Sequence, residues 1–177
     1  YALALNNVGV VLRKARRLDE AKEFFTRALA IDQAALGPAH PQLIAPLNSL
    51  GISLLAEKNF DQARSVFERA VVISRAGYGE DSPRTAELHS NLGLVLSAQK
   101  RYPEATAAYQ RALITLRALG DDHPKVLLTE IDLGALYLRQ KQYAQALEKF
   151  RRVLFLQTAR MGAAFAQNAN AWLGIGL

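Results

Sequence analysis

With 177 residues, half of them apolar, the chain can form one ordinary domain or a short repeat array. It has no cysteine, which excludes a disulfide framework and a thiolate metal site and agrees weakly with a reducing, cytoplasmic setting. Its 22 basic residues against 16 acidic give a net charge of +6, enough to raise the question of an acidic or nucleic-acid partner.

Alanine and leucine dominate, while valine and isoleucine are too scattered for sheet strands, so the composition favours helix. No stretch approaches the roughly 18 apolar residues of a membrane span. The opening YALALNN lacks the basic leader and sustained apolar run of a secretory signal, and without a starting methionine it reads as part of a longer protein.

In chain order, the periodicity predicts a first helix over 2–15, with Leu5, Val8 and Leu12 on one stripe, and a partner over 18–35. The pattern restarts at 42–57, where Leu47, Leu50 and Leu54 form the stripe, and continues at 60–77. It returns at 84–99 and 102–119, then at 125–140 and 143–160, and a further first helix is expected from about 166. The resulting repeats cover about 1–41, 42–83, 84–124 and 125–165, with a partial fifth over 166–177.

The repeat is carried by small residues held in phase. Glycines recur at Gly9, Gly51, Gly93, Gly134 and Gly174, spaced 42, 42, 41 and 40 residues apart. Twelve residues after each of the first four comes Ala21, Ala63, Ala105 or Ala146. An aromatic follows four later at Phe25, Phe67, Tyr109 and Phe150, and Ala28, Ala70, Ala112 and Val153 stand three beyond that. Small residues at a helix crossing permit close approach, and the aromatic fills the space beside them. A second glycine at Gly37, Gly79, Gly120 and Gly162 stands where a helix takes a left-handed C-terminal cap. Pro41, Pro83 and Pro124 then suit the first turn of the next helix, as Pro103 suits the start of a second helix. Neither helix of a pair can bury its stripe alone, so neighbours must stack.

The words L-x-x-V-G-x-x-L and A-x-x-x-F-x-x-A resemble the tetratricopeptide repeat. The 42-residue period, with turns LGPAHPQ, GYGEDSPRT and LGDDHPKV, resembles the kinesin-light-chain subtype and its bacterial relatives. The fourth copy departs, since its linker RMGAAFAQ has no HP pair. The resemblance implies an all-α, right-handed α-solenoid of helix-turn-helix repeats whose first helices line a peptide-binding groove. It implies a scaffold that binds proteins, with no cofactor.

Helical spacing places candidate groove residues on each first helix. Two columns stand three and two positions before the repeat glycine: Asn6 and Asn7, Asn48 and Ser49, Ser90 and Asn91, then Ile131 and Asp132. Asparagine inside a helix costs roughly half a kcal/mol relative to alanine, so such a column needs a reason. The amides either hold a bound peptide backbone or fix the stacking register, and one amide can do both. Val10, Ile52, Leu55, Leu94, Leu128 and Leu138 would give an apolar floor or simple inter-repeat packing, and Arg13, Lys14 and Arg139 are the basic candidates at the rim. Tetratricopeptide proteins that grip C-terminal carboxylates carry lysine where this chain has Asn6 and asparagine where it has Val10, so that clamp is not expected here.

Other chemistry finds no support. His40 and His123 precede prolines in equivalent turns and are expected to act locally, and His89 stands 49 residues from His40 and 34 from His123, without metal-ligand spacing. There is no G-x-S-x-G, G-x-x-x-x-G-K or G-x-G-x-x-G word. Much of the basic excess lies on second helices, where Glu23 with Arg27 and Glu148 with Arg152 have i, i+4 spacing. Lys149, Arg151 and Arg152 form the one local cluster, a weak case for nucleic acid. The apolar end Ala171–Leu177 suggests that the native chain continues, or that 166–177 mediates self-association. A regulatory or sensor module of a larger enzyme or signalling protein is the alternative to a scaffold. No membrane partner is expected.

Overall fold

The structure is a computed structural model that describes residues 1–172, with side chains to residue 162. It contains α-helices and short 3-10 turns and no strand among the described residues. The chain divides into an N-terminal unit, 1–115, and a C-terminal unit from residue 116.

The N-terminal unit holds α1 (Ala2–Lys14), α2 (Leu18–Leu36), α3 (Ile44–Ala56), α4 (Phe60–Tyr78), α5 (Pro83–Ala98) and α6 (Tyr102–Leu116), whose last residue crosses the boundary. α1 packs on α2 and α3 on α4, Gly93 of α5 meets Tyr109 of α6, and the second helix of each of the first two pairs packs on the first helix of the next. The C-terminal unit holds a fourth pair, α7 (Pro124–Arg139) and α8 (Tyr143–Trp172).

Within each pair the small-residue contact is tight. A β-carbon on Gly51 would stand 2.7 Å from Cζ of Phe67; on Gly93, 2.8 Å from Cε1 of Tyr109; on Gly134, 2.9 Å from Cε1 of Phe150. Ala21, Phe25, Ala28, Ala63, Phe67 and Ala70 are wholly buried. Val8, expected on the buried stripe, is exposed.

The first helices α5 and α7 begin with side-chain caps suited to their turns. Ser82 accepts a hydrogen bond from the backbone N–H of Thr85, and Nδ1 of His123 accepts from that of Lys125. His40 does the same for Gln42 at the 3-10 turn Pro41–Leu43 that precedes α3. The local role expected for His40 and His123 is therefore present in the geometry.

Two sequence expectations about helix ends need correction. Gly37, Gly79 and Gly120 do not form left-handed caps. Gly37 and Gly79 have φ 88°, with ψ 167° and 164°, a mirror-extended conformation that is essentially confined to glycine, and Gly120 has φ 110° with ψ 143°. The left-handed residues instead end the first helices, at Arg16, Lys58, Lys100 and Lys141, with φ between 60° and 64°. The N–H of Asn59 reaches the carbonyl of Leu54 at 2.8 Å, and that of Lys58 reaches Leu55 at 3.1 Å, a pattern repeated at the other three turns. Finally, α8 does not stop near 160 but runs through Gly162 to Trp172, so no new helix starts at 166. Gly162 has no positive φ, and an alanine-rich segment without the HP pair offers nothing to break the helix. The side chains over which self-association through 166–177 was expected lie outside the described residues.

Candidate functional site

The first helices of the N-terminal unit carry the candidate residues. Asn6 is buried and its Oδ1 has no hydrogen-bond partner, while Asn7 is exposed. Asn48 and Asn91 are half-buried, and Asn91 donates from Nδ2 to Oδ1 of Asn48 at 2.7 Å, joining α5 to α3. After that bond Asn48 keeps its NH₂ and Asn91 its carbonyl oxygen.

Asn6 and Asn48 line one wall of a cleft of about 550 Å³ on the N-terminal halves of α1, α3 and α5. Leu3, Ala45 and Glu87 line it as well, each one turn before a member of the first column, and Leu88 adds apolar surface. Tyr78 and Arg84 close one side: Arg84 stacks 4.6 Å from the Tyr78 ring centre and donates to its hydroxyl at 2.7 Å. Among the described residues Arg84 pairs with no carboxylate, and Asp32, also on the wall, pairs with no cation.

The remaining candidates are dispersed. Val10, Ile52 and Leu55 are half-buried against the core. Ser49, Ser90 and Leu94 are half-buried, and Ser90 bonds back to the carbonyl of Ala86 at 3.4 Å. Arg13 is half-buried with Nε lacking a partner, and Lys14 is exposed. In the C-terminal unit, Ile131 and Asp132 are half-buried, Leu128 and Leu138 are exposed, and Arg139 is exposed but engaged. Burial pushes the Asp132 carboxyl up to about 6.

The profile described as tetratricopeptide repeat matches residues 1–76, 47–113 and 84–158. The chain belongs to the tetratricopeptide repeat family. Among solved structures, this tetratricopeptide array is similar to BtubC (BKLC) from P. vanneervenii, with 22% identity and a TM-score of 0.81 over 91% of this chain and 65% of that one. It is also similar to a singly substituted form of a Podosopora anserina putative kinesin light chain (20% identity, TM-score 0.76, 90% of this chain and 76% of that one). The apo form of RapI is a third (21%, 0.79, 93% and 58%). The array thus spans less than two thirds of BtubC and of RapI. These structural likenesses show the fold, an all-α tetratricopeptide solenoid whose neighbours include kinesin-light-chain-like proteins. No curated protein matches the sequence significantly.

Tetratricopeptide repeats are generally protein-interaction modules, and scaffolds of this type are typically non-enzymatic. No described helix is long and apolar enough to cross a membrane. No group of three His, Cys, Asp or Glu side chains that could hold a metal is present among the described residues. His89 is buried, with its Nε2 3.3 Å from Glu80, and desolvation holds it below the usual imidazole range. The second-helix cations are largely paired. Arg27 meets Glu23 at 3.8 Å as its spacing suggested, but Arg152 turns to Asp121 at 2.8 Å instead of Glu148.

Sequence reasoning missed Leu3, Ala45 and Glu87, although they repeat at the same 42-residue interval and lie one helical turn before the asparagine column. It also missed Tyr78 and Arg84. Nothing in GYGEDSPRT marks a stacked pair, because their contact depends on how the turn folds back.

Proposed function

We propose that this array is a protein-interaction scaffold that holds an extended peptide segment of a partner protein in the cleft on α1, α3 and α5. The observation that carries this reading is the double position of Asn48, which is half-buried, bonded to Asn91 and part of the cleft wall. The NH₂ that Asn48 keeps after that bond is a donor suited to a carbonyl of a peptide backbone. Leu3 and Ala45 offer an exposed apolar seat over buried Leu88, and Arg84 and Asp32, neither in an ion pair among the described residues, offer charges to fix direction. Asn7, Val10, Ser49, Ile52, Ser90 and Leu94 surround the site as its supporting shell. Arg13 and Lys14 lie toward the other end of α1, and Asp132 and Arg139 are the counterpart positions on α7. A cytoplasmic setting belongs to the same proposal.

The test is a binding measurement on the segment mapped from a captured partner. Ala45 is exposed on the cleft wall, so Ala45→Trp fills the cleft without touching the core. Binding should fall at least about tenfold with unchanged melting, the weight of one blocked pocket. Undiminished binding to the variant would refute the site.

A further inference from the structure

Each first helix ends in a turn whose left-handed residue is a cation: Arg16, Lys58, Lys100 and Lys141. Glycine, asparagine and aspartate are the residue types that enter this conformation most readily, whereas other L-residues pay roughly 1–2 kcal/mol. A cation near a helix C-terminus gains about 0.3–1 kcal/mol from the aligned carbonyls. That gain does not require the strained position, because neighbouring residues of the same turn would serve. Local energetics therefore leave four cations in four strained positions unexplained.

Their surroundings add a second observation. All four are exposed, and none makes an ion pair or side-chain hydrogen bond among the described residues. The carboxylates in and beside the N-terminal unit's turns are already held. Glu20 pairs with Arg17 at 2.6 Å, Glu57 with Lys22 at 3.0 Å and Glu104 with Arg101 at 2.6 Å, while Asp61 accepts from Gln99 at 2.7 Å. The Lys22–Glu57 and Gln99–Asp61 contacts tie neighbouring pairs together along this edge. Between the second and third turns they leave an open hollow of about 700 Å³ lined by Lys58, Arg64 and Arg101.

We propose that this turn edge of the N-terminal unit, with Arg16, Lys58 and Lys100 as its free cations, is a second docking surface, which takes an acidic, aspartate- or glutamate-rich segment of a partner protein. Packed helices lie roughly 8–10 Å apart, so an extended strand rising about 3.3 Å per residue presents a carboxylate to each turn at every third residue or so. An acidic peptide fits better than nucleic acid. Asp61, Glu57 and Glu104 are interleaved with the cations, so an unbroken phosphate backbone would run over carboxylates, whereas a peptide can place its acidic side chains at intervals. The surface is separate from the cleft on the N-terminal halves of the first helices.

The test uses the whole chain and a labelled synthetic glutamate-rich peptide, with an oligouridylate of equal charge in a parallel arm. Wild type should bind the peptide in a salt-sensitive way. Arg16→Gln, Lys58→Gln and Lys100→Gln together should weaken binding at least about tenfold, as expected for three exposed pairs, with helicity unchanged. A second triple variant with glycine at these positions should lose binding equally while melting at the same or a higher temperature. Ala45→Trp should leave peptide binding intact. Binding that survives the triple substitutions, or is absent in wild type, would overturn the proposal. So would loss with Ala45→Trp, which would place the acidic ligand in the cleft, or preferential binding of the oligouridylate.

Discussion

The ring of Phe67 occupies the space that a β-carbon on Gly51 would need, with 2.7 Å between the two. Gly51→Ala should therefore force the ring or the α3–α4 crossing to shift and cost about 1–3 kcal/mol, the usual range for overpacking. Equilibrium denaturation checks this, and Phe67→Leu in the same chain should recover part of the loss. Gly162→Ala is the contrasting case. It meets nothing within 4 Å inside a continuous helix and should stabilise by roughly 0.5–1 kcal/mol.

Asn6 and Ser49 occupy the positions in the first and second repeats that Asn48 and Asn91 occupy in the second and third. The later pair is bonded, whereas Oδ1 of Asn6 is buried without a partner. Ser49→Asn should supply the missing donor and stabilise by about 1 kcal/mol, the net worth of one hydrogen bond. A thermal melt that stays level or falls would show that the two interfaces differ in spacing.

The Asp132 carboxyl, pushed by burial to about 6 from an ordinary 3.8, ties stability to pH. Between these values the folded chain binds more proton than the unfolded one, so this group lowers stability as pH rises from about 4 to about 6. Desolvated His89 acts with the opposite sign, weakening the fold as pH falls below its ordinary 6.5. The comparison with Asp132→Asn isolates the first effect. The variant should be more stable than wild type at pH 7, with the advantage gone by pH 4. A constant difference across that range would contradict the assignment.

In the C-terminal unit, Glu130 is wholly buried and meets Arg117 at 2.6 Å, Lys149 at 3.5 Å and Arg152 at 4.0 Å. Removing Glu130 leaves three cations, of which Arg117 and Arg152 are partly exposed and also reach Asp121, while Lys149 also reaches Glu148. Glu130→Ala should cost about 1–3 kcal/mol, the usual penalty when buried polar groups lose a partner. Hydrogen exchange should report the loss in the amides of α7 and α8.

The features legible in the sequence were those set by steric fit. Gly51 against Phe67 and Ala63 leaves a pattern because only small residues fit the crossing, and its recurrence gave the pairs and nearly all their ends. The cleft was half legible. Asn6 and Asn48 stood out as polar residues within helices, but Ala45 is an ordinary helix former and carried no signal. The conformations of the turns were hidden, since a lysine at 58 announces no left-handed backbone and Gly162 looks like Gly79 until the helix is seen to continue.

At Gly37 and Gly79 the backbone takes, for a single residue, the conformation that a d-amino acid would choose by default. Each joint between successive pairs is thus a brief reversal of chain handedness. Evolution, confined to the genetic code, has one achiral residue with which to write it, so these glycines can drift to no other coded side chain without strain. A chemically synthesised chain is under no such restriction, and d-alanine there would narrow the unfolded ensemble while leaving the path between pairs unchanged.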